Sequence, residues 1–136
     1  MLNVLKKYQI VLAVAAFILK NGKLLVVKKS PQEKIDAGKW VVPGGKINPD
    51  ELIYQGLKRE IKEEVNLDIV NYHWVNENVF LSNNYYFHAQ HFICKVKSFK
   101  NLRLEKDLID YTFITKKNLK KYNIPKGLLE TMKIIL

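Results

Sequence analysis

The stretch Gly44-Gly45-Lys46-Ile47-Asn48-Pro49-Asp50-Glu51, running on into Leu57-Lys58-Arg59-Glu60-Ile61-Lys62-Glu63-Glu64-Val65-Asn66-Leu67, decides how this chain of 136 residues reads. Asn48 and Asp50 are good N-cap residues, and Pro49 is tolerated in a first helical turn but not deeper. A helix is therefore expected to start between Pro49 and Leu52 and to run to about Val65. Asn66 is its stop, being the commonest non-glycine residue in the left-handed cap conformation. Ile53, Leu57 and Ile61 recur at i+4, with Tyr54 and Val65 beside them, as one apolar face. Glu60, Glu63 and Glu64 stand at i, i+3 and i+4 and share a second face, adjoining the apolar one at ~100° per residue. Three carboxylates held together repel one another unless something positive sits among them, and a divalent metal answers that need. The glutamates are thus expected to look into a groove beside the core.

Upstream, Trp40-Val41-Val42 is a short strand stopped by Pro43, and it delivers the chain into a glycine pair where backbone can approach a ligand. A nucleoside-triphosphatase phosphate loop is excluded, since its spacing would need glycine near Val41 and a hydroxyl at Ile47. Ser30 to Gly38 reads as an exposed connection. Asn21-Gly22 between the apolar runs Ile10 to Leu19 and Leu24 to Val27 marks a hairpin. Lys6-Lys7 ahead of the first run imitates a signal peptide, but the run falls far short of the ~20 residues of a membrane span and flows into the hairpin. Within the helix Gly56 costs ~1 kcal/mol relative to alanine, so either another backbone packs closely there or the loss is simply tolerated.

Downstream, Leu67 to Val70 and His73 to Leu81 read as strands, Asn83-Asn84 as a turn and Tyr85 to Val96 as a long alternating strand. His88 and His91 point to opposite faces and form no local metal pair; they read as packing or surface residues, one of which could line a groove. Asp110 to Ile114 is a short strand, Thr115 caps a short helix through Tyr122, and Lys126 to Leu136 closes the chain as an amphipathic helix. The order of elements lacks βαβ alternation, which predicts one domain over residues 1–136 with a mixed sheet covered by helices on two sides.

Cys94 is the lone cysteine, so an internal disulfide framework is excluded and a reducing, cytoplasmic setting is expected. The net charge of +10 permits a polyanionic partner, yet the lysines are scattered or paired, as on a solvated surface. Such a surface suits a phosphate-rich small molecule equally well, and no RNA-binding motif accompanies it.

Gly45, Glu51, Arg59, Glu60, Ile61, Glu63, Glu64 and Leu67 together resemble the signature of the Nudix hydrolases (MutT-like). Asn66 is the one departure, where the family has glycine. A glutamate-rich solvated helix would account for Arg59 to Glu64 alone, but not for Gly45 and Glu51 at their offsets. The resemblance implies an α/β/α sandwich with a mixed central sheet flanked by helices. It implies hydrolysis of a nucleoside diphosphate linked to another moiety, with Mg²⁺ or Mn²⁺ as cofactor. A nucleoside triphosphate cleaved to monophosphate and pyrophosphate is the expected substrate. A nucleotide sugar, an RNA 5′ end and a non-catalytic nucleotide sensor are the alternatives. By the same resemblance Glu60, Glu63, Glu64 and the Gly44 carbonyl are metal ligands. Glu63 and Glu60 are the first choices for the base, and Glu51 with Arg59 completes the catalytic set as an ion pair pinning loop to helix. Eight helical residues would separate that pair by ~12 Å, so Glu51 is expected to leave the helix and bend back. Glu105, Asp107 and Asp110 are candidates for an assisting acid. The expected partner is a small nucleotide rather than nucleic acid or membrane, with a monomer or homodimer as the assembly.

Overall fold

The computed structural model describes residues 8–136, so Lys6 and Lys7 lie outside the described residues. Strand β1 (Gln9–Lys20) and strand β2 (Lys23–Lys29) are joined through Asn21 at φ 51° and Gly22 at φ 78°, the two positive angles that a type I′ turn requires. The hairpin is short: only Leu19↔Leu24 and Lys20↔Lys23 pair across it. Beyond these the arms part. β2 pairs antiparallel with strands β3 (Trp40–Val41) and β7 (Leu108–Ile114). β1 takes strand β4 (Gly44–Lys46) antiparallel and strand β6 (Tyr85–Val96) parallel, from Gln9↔Tyr85 to Ile18↔Cys94. Strand β5 (Ile69–Ser82) completes the order β3-β2-β1-β6-β5, with β4 on β1 and β7 on β2. The sheet is mixed, as expected.

The unbroken apolar run in β1 follows from its place in the middle, because a strand covered on both faces has no solvent side. Val14, Ala16 and Ile18 pack toward helix α1 (Ile53–Val65) with Leu57, Ile61 and Val65. Ala15 and Phe17 face the other way, toward Leu119 of a 3₁₀ helix (Lys116–Lys121) and Met132 of helix α2 (Lys126–Ile135). These two cores make the α/β/α layering. No helix among the described residues is long and apolar enough to cross a membrane.

Five local expectations are corrected. Helix α1 starts at Ile53, one residue past the expected window, with Leu52 at its N-cap and the Leu52 N–H donating to Gln55 Oε1 at 3.0 Å. Asn48 and Asp50 do not cap it: Asp50 takes φ 65°, and the Asn48 carbonyl accepts from the Glu51 N–H at 3.1 Å, so these residues close a turn around Glu51. Ile53 is exposed, because Ile47 of that turn folds over the helix and supplies the apolar contact at this end. Gly56 admits side chains and not another backbone: a Cβ there would run into Ile47 Cδ1 and stand 2.9 Å from Glu51 Oε1. The two strands expected between Leu67 and Leu81 are one, β5, whose register shifts at Ile69/Asn71 and Trp74/Asn76 absorb the break in alternation. Asn66 ends α1 at φ 58°, ψ 41°, the left-handed conformation that glycine would otherwise supply.

Candidate active site

The edge of β4 sets the site. Pro43 accepts from the Ala16 N–H at 2.8 Å and Leu12 from the Ile47 N–H at 2.9 Å, so Gly45 takes the alternate paired position opposite Val14. In an antiparallel ladder the intervening residues turn both backbone groups away from the partner strand. Gly44 and Lys46 therefore direct theirs toward α1. The Gly44 N–H donates to Glu64 Oε1 at 2.6 Å, and the Lys46 carbonyl accepts from Arg59 Nη2 at 2.9 Å. The Gly44 carbonyl is aimed to the same side.

Both glycines are required by approach. A Cβ on Gly44 would meet the Val14 carbonyl, and one on Gly45 would run into the Glu60 carboxylate. Gly45→Ala is expected to push Glu60 out of place and lower kcat/KM by about ten- to a hundredfold with little change in Tm, measured by steady-state kinetics beside thermal melting.

Arg59 uses all five of its donors. Nε and Nη2 hold Glu51 in a two-pronged pair at 2.7 and 3.0 Å, Nη2 also reaches Lys46, and Nη1 donates to Glu60 Oε1 at 3.0 Å and Glu63 Oε2 at 3.1 Å. Glu51 sits in the turn before the helix, as its distance from Arg59 demanded. Its second support is the Asn48 N–H at 2.9 Å. The Arg59 hydrogen bond, then that of Asn48, holds the Glu51 carboxyl below its ordinary range, and Glu51 in turn keeps Arg59 firmly protonated.

The three glutamates do not share one environment. Glu64 is deepest: burial pushes its carboxyl up to about 8, with the Gly44 N–H opposing and the charges of Glu60 and Glu105 adding to the rise. Glu60 is raised as well, mainly by burial, against the pull of Arg59. Glu63 is more than half exposed and stands at the rim. Of the three later acids, Glu105 is the one at the site. Its N–H donates to the Glu64 carbonyl at 2.9 Å, and burial, then Asp107, raises its carboxyl. Asp107 is engaged through its carbonyl with the Ser30 N–H at 3.0 Å, and Asp110 pairs with Lys28 across the sheet.

Among the described residues no three acidic, imidazole or thiol groups stand as a ready metal cage. The arrangement explains this: Arg59 draws in Glu60 and Glu63, while the Gly44 N–H holds Glu64. The donors nonetheless suit a hard divalent cation, which takes carboxylate and carbonyl oxygens. Buried acids that raise one another are also the groups a cation would relieve.

A cavity of about 710 Å³ opens beside these acids. Glu64 and Glu105 line one end, and it extends across Ala13, Ala15, Ala89 and Phe87 to the start of α2 at Gly127. His91 also lines it, which was one of two readings left open for the histidines. A readable signal existed. Ala13, Ala15 and Ala89 fall on one sheet face by period two, and three small residues together leave room.

A family model described as NUDIX domain matches residues 9–132. The CTP pyrophosphohydrolase of Escherichia coli K12 is 42% identical over 55 residues, 40% of each chain. Nudix hydrolase 5 of Arabidopsis thaliana is 41% identical over 58 residues, 42% of this chain and 19% of that one. The chain thus spans two fifths or less of the length of these relatives. The crystal structure of a MutT protein from Methanosarcina mazei Go1 superposes with a TM-score of 0.85 at 24% identity, covering 95% of this chain and 94% of that one. The solution structure of the E. coli ORF135 protein gives 0.76 at 24% identity, with 96% and 94% covered. At that identity these two speak for the fold alone. The match over nearly the whole length, on a fold that delivers Gly45, Glu51 and Arg59 to Glu64 into one site, places the chain in the NUDIX family.

Proposed function

We propose that residues 1–136 form one Nudix hydrolase domain, a divalent-metal-dependent hydrolase of phosphoric anhydride bonds in nucleotides. A nucleoside triphosphate, cleaved to monophosphate and pyrophosphate, is the substrate this reading favours. The observation that carries it is the shared cavity: Glu64 of α1, Glu105 and the Gly44 edge line the same space as an apolar sheet face, and at about 710 Å³ it is large enough for a nucleoside. Glu60, Glu63, Glu64 and the Gly44 carbonyl would hold Mg²⁺ or Mn²⁺. Bound there, the ion would neutralise pyrophosphate oxygens and acidify water.

The chain's own residues do the rest. Arg59 fixes the helix to the Gly45 turn, so the Glu60 and Glu64 carboxylates keep their place relative to the backbone edge. Glu105, tied to the Glu64 carbonyl and with its carboxyl raised by burial and then by Asp107, is our candidate to take a proton from the attacking water, beside Glu63 and Glu60. Lys29, Lys46 and Lys126 line the cavity and favour a polyphosphate chain. The buried thiol of Cys94, pushed up to about 12 by burial, is inert and compatible with a reducing cytoplasm.

A panel of nucleoside triphosphates, sugar nucleotides, dinucleotides and capped RNA, assayed with Mg²⁺ by product chromatography, tests the reading. Release of a nucleoside monophosphate, abolished by chelation, is expected. Absence of metal-dependent turnover on all of them overturns it.

A further inference from the structure

His91 is almost wholly buried on β6, and its ring packs at 5.2 Å from that of Phe17. Nδ1 lies 2.8 Å from Thr131 Oγ1 on α2. The Thr131 hydroxyl has a carbonyl oxygen to donate to, Asn76 Oδ1 at 3.1 Å, and a second, the Gly127 carbonyl, at 3.4 Å. With its single proton given to either of these oxygens, Thr131 accepts from His91. Nδ1 then carries the proton, and Nε2 presents a bare lone pair. Burial pushes the imidazole down to about 4, so the ring is neutral. Nε2 has no hydrogen-bond partner, and the residue lines the cavity. A buried acceptor without a partner, in a residue that lines a cavity, asks for a donor from whatever fills that cavity.

The sheet register relates this atom to the acidic end. His91, Ala15 and Gly44 stand in one row across β6, β1 and β4. Two strand spacings, about 10 Å, therefore separate His91 from the backbone edge that meets Glu64. Between them lie only small side chains, and the wall beyond is the stacked pair Phe80 and Phe87, with ring centroids 4.8 Å apart and planes within 5°. The row is the right length for a ligand with a charged phosphate end and a flat aromatic end.

From this we propose that His91 is a specificity-determining residue, whose Nε2 accepts a hydrogen bond from an exocyclic amino group of the substrate's base. Nε2 is recessed, so the donor that reaches it has to protrude. An exocyclic amine does so, whereas a ring N–H lies flush between its neighbours. A keto oxygen in that place would set two acceptors against each other. The inference rests on the nucleotide reading above and adds which class of base is taken.

The test uses the full chain with ¹⁵N-labelled histidine. Long-range ¹H–¹⁵N spectra at pH 7 should show His91 protonated on Nδ1 alone. Addition of CMP or AMP should move the Nε2 resonance. The matching monophosphates of pyrimidin-2-one riboside and purine riboside, which lack only the amine, should leave it unmoved. In steady-state assays the preference for amino-bearing over amine-free triphosphates should be at least about tenfold, a modest share of what a polar pocket achieves. It should vanish in His91→Phe and survive in part in His91→Gln, which keeps an acceptor. A proton found on Nε2, or an Nε2 signal indifferent to every monophosphate, overturns the inference even if hydrolysis is brisk. An Nε2 response to the amine without any hydrolysis upholds it while the hydrolase reading fails.

Discussion

Glu64→Gln is expected to lower kcat about a thousandfold, equal to about 4 kcal/mol of lost transition-state stabilisation, within what a correctly held metal supplies. The same change is expected to raise the melting temperature of the metal-free protein at pH 8. The sign follows from burial. The folded Glu64 carboxyl is pushed up to about 8 from an ordinary 4.5, so between these values the native protein holds a proton that the unfolded chain has released. The contribution to stability is full below pH 4.5 and is lost as pH rises to about 8. Glutamine keeps an oxygen to accept the Gly44 N–H and has no charge to bury. Melting curves should therefore converge at pH 4.5 and separate in favour of the variant at pH 8, each measured without metal. Added Mg²⁺ should raise the wild-type melting temperature at pH 8 and leave that of Glu64→Gln nearly unmoved. Wild-type turnover in the variant would remove Glu64 from the proposed ligand set.

Glu64 also shows how much of the site was legible in the sequence. Its spacing from Glu60 and Glu63 placed all three carboxylates on one helical face, and α1 bears that geometry out. Spacing says nothing about depth. Glu63 stands at the rim and Glu64 lies inside because β4 runs beside only one flank of the helix, and that pairing belongs to the tertiary fold. The Glu51–Arg59 contact was predictable for a different reason. An axial rise of ~12 Å cannot be bridged within a helix, so covalent geometry alone forced Glu51 into the turn. Asn48 and Asp50 misled because good capping residues are good turn residues too, and here the turn needed them more. Glu105 was one acid among three, and only the folding of the 97–107 segment back onto the end of α1 singles it out. The Arg103 N–H on the Val65 carbonyl at 3.0 Å and the Glu105 N–H on the Glu64 carbonyl are backbone bonds, which carry no side-chain signature. For His91 the strand period set it opposite to His88, but its hydrogen-bond partner is Thr131, forty residues away in the chain.

The other large effect is expected at Arg59. Arg59→Lys keeps the positive charge, and on Coulombic grounds alone it would be mild. The structure argues otherwise. Arg59 spends five N–H donors on four groups: the Lys46 carbonyl, Glu51, Glu60 and Glu63. A lysine ammonium has three donors, no planar fork, and cannot hold Glu51 through two parallel bonds. With the fork gone, the turn over Gly56 keeps its backbone bonds, the Asn48 N–H on Glu51 and the Ile47 contact but loses its tie to the helix, and Gly45 loses its register with Glu60. Arg59→Lys is therefore expected to cost about ten- to a hundredfold in kcat/KM while circular dichroism stays native, as for other residues that orient a metal site's ligands. Glu51→Gln should cost less, since the amide still accepts one bond. The double variant should be no slower than Arg59→Lys alone, because the pair acts as one clamp and can be opened only once. Losses that multiply in the double variant would show instead that each side chain serves the reaction by a separate route, with Glu51 then acting on substrate or metal directly and not through Arg59.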